Sequence, residues 1–226
     1  MVKSGQTPAI DHRLLDMNGS DRGRLVHLSV VGEVAGVVGL LGVAGTVAAL
    51  ATLHVLPTGL SPLHNAVSQY GITRYRLGYR IATICTGLAG VFIAAGIQAD
   101  VRGAGVVVVV LVVFGLARLA ISWFPMDTPG TPVSASGRRH GLLAIVAFAS
   151  VGIAALRLSD VLRRTHQWTD ASGSIQVAGW LMLVAIIAMV VVRRGSGGSY
   201  FGAVERAFYV GMLAFLAIVS VALISH

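Results

Sequence analysis

Apolar residues fall into six long runs, and short polar stretches separate them. The runs cover approximately Ser29–Leu56, Leu77–Gln98, Gly103–Phe124, His140–Leu158, Ile175–Val192 and Phe201–Ile224. A helix needs roughly 20 residues to cross the hydrocarbon of a bilayer. Backbone groups in lipid must be satisfied within the segment, which favours helices here. The alternating ten-residue pattern of a membrane barrel is absent from the sequence. The pattern therefore predicts an all-α polytopic membrane protein: a polar N-terminal tail over 1–28, then a bundle of six transmembrane helices over 29–226.

Composition agrees. Hydrophobic residues make up 55% of the 226 positions, charged residues 12%, and mean hydropathy is +0.81. Soluble domains carry about a quarter charged residues. The net charge of +8 comes from 16 Arg and one Lys against 9 acids. Basic residues sit at run ends, where they meet anionic headgroups. They lack the aromatic interleaving of a nucleic-acid surface, so membrane lipids are the expected partners and nucleic acid is not. The Arg bias, with abundant Ala, Gly and Val, points to a GC-rich genome. The single cysteine, Cys85, excludes an intrachain disulfide and a cysteine metal cluster, and reads as a small core residue. The first ~25 residues are polar and have no apolar core of the signal-peptide kind. Run one thus reads as an uncleaved anchor.

Orientation is balanced. Leaving out Arg118, eight Lys/Arg fall on each side of a six-span chain. The polar tail favours cytoplasmic termini. Gly32, Gly36, Gly39, Gly42 and Gly45 form a stripe along run one that admits a close neighbour. Packing within the bundle is the first expectation for that stripe, and a homodimer the alternative.

Candidate chemistry collects in connections one, three and five, which share one side. The first reads Ser61-Pro62-Leu63-His64-Asn65-Ala66-Val67-Ser68-Gln69-Tyr70-Gly71. Ser61 as N-cap, Pro62 in the first turn and Gly71 as stop predict a short interfacial helix with His64 and Ser68 on one face. The third connection places Asp127 after Pro125, and His140 opens run four. Glu205 and Arg206 open run six. Arg118 lies inside run three, where a charge is costly and faces a partner, with Glu205 or Asp127 expected. Glu33 is expected to snorkel at the opposite interface, and His54 to join the polar face or lie at the interface.

The Ser-Pro-Leu-His-Asn-x-Val-Ser-x-Tyr-Gly segment, the Phe124-Pro125-x-Asp127 segment, the His140-Gly141 pair and the Glu205-Arg206 pair, in this order, resemble the bacterial six-span family "domain of unknown function 998". That family is distantly similar to Frag1/DRAM-type membrane proteins. The resemblance covers about residues 30–224. It implies a six-helix bundle with a polar site on one membrane face, and no particular reaction or cofactor.

Two kinds of chemistry fit these residue types. His64, Ser68, Asp127 and His140 include the types of a nucleophile–base–orienter set, although no Gly-x-Ser-x-Gly elbow is present. His64, Asp127 and His140 could ligate zinc, but no His-x-x-x-His or His-Glu-x-x-His spacing supports it. For binding, Asn65, Tyr70, Arg118, Glu205 and Arg206 offer groups for an anionic headgroup. Lipid binding or modification is therefore the leading expectation. A transporter and a non-catalytic scaffold are the alternatives, and Glu205-Arg206 with Arg118 could equally be a structural ion-pair network.

Overall fold

The computed structural model describes residues 19–194 and 200–225, with side chains from residue 30 onward. Residues 1–18 of the expected tail, with Lys3 and Arg13, lie outside the described residues. Six helices follow one another: α1 (Gly19–Val55), α2 (Arg76–Asp100), α3 (Gly105–Ile121), α4 (Ala135–Thr165), α5 (Thr169–Arg194) and α6 (Phe201–Ser225). No strand occurs among the described residues. Helix α1 starts ten residues before the expected span, so part of the anticipated tail is helical.

Among the described residues, five helices are long and apolar enough to cross a membrane: Val30–Val55 within α1, and α2, α4, α5 and α6. Helix α3 is apolar but only 17 residues long. It stops at Ile121, short of the expected Phe124. Its last turn tightens, with Trp123 N–H donating to Ala120 O (3.1 Å) and Phe124 N–H to Ile121 O (3.2 Å). The residue before Pro125 is excluded from helical backbone by the proline ring, so the helix must end before it.

Sequence neighbours pack as spatial neighbours, and α1 against α6 closes the ring. Helix α6 also touches α2 and α4, which places it at the centre. Its inward residues Phe208, Met212, Phe215, Leu216 and Val219 are fully buried. The outward faces carry exposed Val, Leu and Ile, such as Leu41, Val109, Ile145 and Val184. That inversion of the soluble pattern is what a lipid solvent requires.

The glycine stripe of α1 is filled from within the chain. A Cβ at Gly36 would lie 2.5 Å from the Ser220 carbonyl, one at Gly39 2.2 Å from Ser220 Oγ, and one at Gly42 2.6 Å from the Cys85 carbonyl. At Gly36, Gly39 and Gly42 the stripe seats α6 and α2, as the packing expectation has it. Buried hydroxyls reinforce the α1–α2 contact. Thr46 Oγ1 donates to Gly42 O (2.8 Å) and meets Thr86 Oγ1 (3.1 Å), and Thr86 Oγ1 donates to Ala82 O. Such bonds satisfy polar side chains where lipid cannot.

Candidate functional site

The first connection does not form one continuous helix. Ser61 O accepts from His64 N–H (3.2 Å) and Asn65 N–H (2.8 Å), which makes a single turn. The Asn65 amide folds back, with Oδ1 accepting from Ser61 N–H (2.7 Å) and Nδ2 donating to Gln69 Oε1 (2.6 Å). This side-chain closure competes with helix propagation. Ala66 is extended (φ −61°, ψ 148°), and a 3₁₀ turn follows over Val67–Ile72. His64 and Ser68 therefore do not share a helical face. The exposed His64 ring lies 6.0 Å from that of Tyr200, while Ser68 Oγ donates to Met126 Sδ (3.2 Å).

Asp127 braces the third connection. Its carboxylate accepts from Ser134 N–H (3.0 Å) and Ser134 Oγ–H (2.6 Å), and Ser134 Oγ accepts from Gly137 N–H (3.0 Å), capping α4. The Ser134 hydroxyl, and then its backbone N–H, hold the Asp127 carboxyl below the ordinary carboxylate range. Gly137 is required here, because a Cβ would sit 1.9 Å from Asp127 Oδ2. One turn on, His140 Nδ1 lies 2.8 Å from Phe124 O and ties the start of α4 to the end of run three.

Glu205 and Arg206 clamp the first connection onto α6. Glu205 is 5% exposed, and its Oε2 accepts from Val67 N–H (2.6 Å). Arg206 donates through Nη1 to Asn65 O and Gly202 O (both 2.9 Å), through Nη2 to Tyr70 OH (3.4 Å) and through Nε to His54 Nε2 (2.8 Å). An Nε2 that accepts is the unprotonated one, so His54 carries its proton on Nδ1 and donates it to Leu50 O (2.6 Å). Ala203 N–H donates to Leu63 O (3.0 Å). Gly202 allows the approach, because a Cβ there would lie 2.5 Å from Asn65 O. His54 thus joins the polar end. Glu33 is exposed near the far end of α1.

Arg118 is 1% exposed, yet it pairs with neither expected acid. Among the described residues the one ion pair is Arg163–Asp160, at 3.0 Å. Arg118 Nη1 donates to Tyr209 OH (3.1 Å), with the guanidinium carbon 5.4 Å from that ring's centroid. Nε and Nη2 have no protein acceptor. The expected ion-pair network is absent here because a tyrosine hydroxyl, one helical turn after Glu205, occupies the contact.

Beside this buried group lies a cavity of about 240 Å³. Ser68 and Gly71 line it from the 3₁₀ turn, Arg76, Tyr79 and Arg80 from α2, Ile121, Ser122 and Trp123 from the end of run three, Pro125 and Met126 from the third connection, and His140 from α4. Two guanidinium groups, three hydroxyls and an imidazole converge there, with no carboxylate. Arg118 lies one turn before Ser122, which caps α3 with helical backbone angles and so falls on the same side. Ser122 Oγ also has no protein partner. Arg80 stacks on Trp123, with the guanidinium carbon 5.0 Å from the ring centroid.

Connection one meets connection three and the first turns of α6 at one end, as Ser68–Met126, Glu205–Val67 and Ala203–Leu63 show. Of the nine expected site residues, Ser68 and His140 line the cavity. Asn65, Tyr70, Glu205 and Arg206 build its neighbouring clamp, Arg118 lies beneath it, and Asp127 braces the adjoining loop. His64 sits apart, beside Tyr200. The described residues hold no group of three His, Cys, Asp or Glu able to ligate a metal. Sequence reasoning missed Tyr79, Ser122 and Tyr209 as site groups, and treated Arg76 and Arg80 only as topology charges. Polar residues in phase with Arg118 and Glu205 were the available signal for these groups.

A family model described as "Protein of unknown function (DUF998)" matches residues 37–222, and the chain belongs to that family. No curated protein and no solved structure matches it.

Proposed function

We propose that this DUF998 family member is a multi-pass membrane protein that binds the phosphate of an anionic lipid headgroup in the cavity among the 3₁₀ turn, α2, α3 and α4. One observation carries the reading: the lining offers Arg76, Arg80, three hydroxyls and His140, and no acid. Guanidinium forks match phosphate oxygens in pairs, and hydroxyls supply the remaining donors. Arg118 beneath the floor adds positive potential in a low-dielectric setting. The setting is the plasma membrane, and the partner is lipid. His64 and Asp127 are engaged elsewhere, so the reading is one of binding and does not include hydrolysis by the four-residue set.

Trp123 lines the cavity and stacks on Arg80, so its fluorescence reports occupancy. In a Trp168→Phe, Trp180→Phe background in detergent, sn-glycerol 3-phosphate should give a saturable change. Arg80→Gln should weaken it at least ~10-fold, about 1.4 kcal/mol. A flat titration, or one indifferent to both Arg80→Gln and Ser122→Ala, refutes the assignment.

A further inference from the structure

A second concavity lies on the opposite face of the same turns of α2. Arg76, Tyr79 and Arg80 face the headgroup cavity, whereas Leu77, Gly78 and Ile81 face a lateral groove of about 620 Å³ against α1. Its α1 wall is Gly45, Ala48, Ala49, Thr52 and Leu53, with Leu56 just past the helix. The small residues on both walls hollow it out. The single hydroxyl in that wall, on Thr52, is already satisfied by Ala48 O (2.8 Å), so the trough itself is apolar. Both walls belong to helices long and apolar enough to cross the bilayer, so hydrocarbon chains are the surrounding solvent.

The groove has one polar end. Arg74 and Tyr75 close it. Arg74 is exposed, its guanidinium carbon stands 4.7 Å from the Tyr75 ring centroid, and Nη2 donates to Tyr75 OH (2.5 Å). No described carboxylate lies within ion-pair distance of it. The sequence explains why: no Asp or Glu occurs between Glu33 and Asp100, while Arg74, Arg76 and Arg80 all fall in that stretch. Tyrosine is a usual residue at headgroup depth. An apolar trough with an uncompensated cation at one end has the polarity of a phospholipid, a long chain joined to a phosphate. A helix from a second copy fits less well, because burying Arg74 without a counter-charge is costly.

The geometry points to a phospholipid site in this groove, with one acyl chain along Gly45, Ala49 and Gly78 and its phosphate on Arg74. It stands on its own lining and does not rest on the headgroup cavity. Native mass spectrometry of the detergent-solubilised chain tests it, comparing phosphatidylglycerol with phosphatidylcholine of the same chains. Phosphatidylglycerol should bind at least ~10-fold more tightly, and Ala48→Trp, which fills the trough from an exposed position, should cost a similar factor. Arg74→Gln, also at an exposed position, should erase the preference between the two lipids while leaving the fold intact. The Trp123 response to sn-glycerol 3-phosphate should survive Ala48→Trp, so failure of the cavity and failure of the groove read out separately. Equal binding of the two lipids, retention unchanged in Ala48→Trp, or a preference that persists in Arg74→Gln overturns the proposal.

Discussion

The clamp between α6 and the first connection yields a prediction with a worked magnitude. Glu205 is buried, and one of its oxygens receives the buried Val67 N–H at 2.6 Å. Replacing Glu205 by Ala removes a hydrogen bond to a charged group and orphans a main-chain donor. Mutational series put that combined loss at about 2–3 kcal/mol. For a chain of this size, each kcal/mol moves the melting midpoint by about 2–4 °C, so Glu205→Ala should lower it by about 4–12 °C. Glu205→Gln keeps an acceptor in the same place and gives up only the charge, whose burial was itself unfavourable. It should cost less than about 1 kcal/mol. Thermal unfolding in detergent measures both, and thiol labelling of Ser68→Cys in a Cys85→Ser background reports whether the 3₁₀ turn has lifted. Labelling should accelerate in the Ala variant and hold steady in the Gln variant. If Gln is as damaging as Ala, the carboxylate acts through its charge and the hydrogen-bond argument fails. If Ala is silent in both assays, there is no clamp.

Three further outcomes follow from the same contacts. Arg118→Met loses the Tyr209 bond, worth about 0.6–1.7 kcal/mol within a membrane, but removes two buried donors that lack protein acceptors, at about 1–3 kcal/mol each. Its melting midpoint should hold or rise while glycerol-phosphate binding weakens, and a drop of more than about 4 °C contradicts this. Gly39→Leu drives a side chain into Ser220 and should cost about 1–3 kcal/mol or more by forcing α1 from α6; an unchanged midpoint with an altered oligomer mass in light scattering would instead place the stripe between copies. The Asp127 carboxyl is held low by Ser134, so its support is complete above the ordinary value near ~3.9 and is lost as pH falls through the lower folded value. Proteolytic nicking within 128–133 should therefore rise only below about pH 4, whereas Asp127→Asn should be nicked faster than the native chain at pH 7 and no faster on acidification.

The apolar runs fixed the number and order of helices, because a bilayer leaves a run of that length few other conformations. The convergence of alternate connections followed from the up–down path alone. Local polar closures were less legible. Ser61, Pro62 and Gly71 carry correct helix signals, yet Asn65 reaches back to Ser61 and breaks the helix at Ala66. Capping preferences do not reveal that competition, since it depends on α6 receiving the Val67 N–H. A buried arginine calls for an acid on charge grounds alone, yet Arg118 Nη1 donates to the Tyr209 hydroxyl, a neutral partner that charge pairing does not single out. Arg76 and Arg80 look like any interfacial arginine in sequence. Which of them turn inward depends on the rotation of α2, which the Gly42 and Gly45 contacts set.

The shortness of α3 has a mechanical corollary. Seventeen residues rise about 26 Å, whereas the 26 of α5 rise about 39 Å. A leaflet meeting that low flank must dip to keep its chains wetted, and a dip costs a fraction of a kcal/mol for each ångström. The cavity of arginines and hydroxyls is lined by the end of run three, so a leaflet that dips along α3 would bring its polar surface toward that cavity.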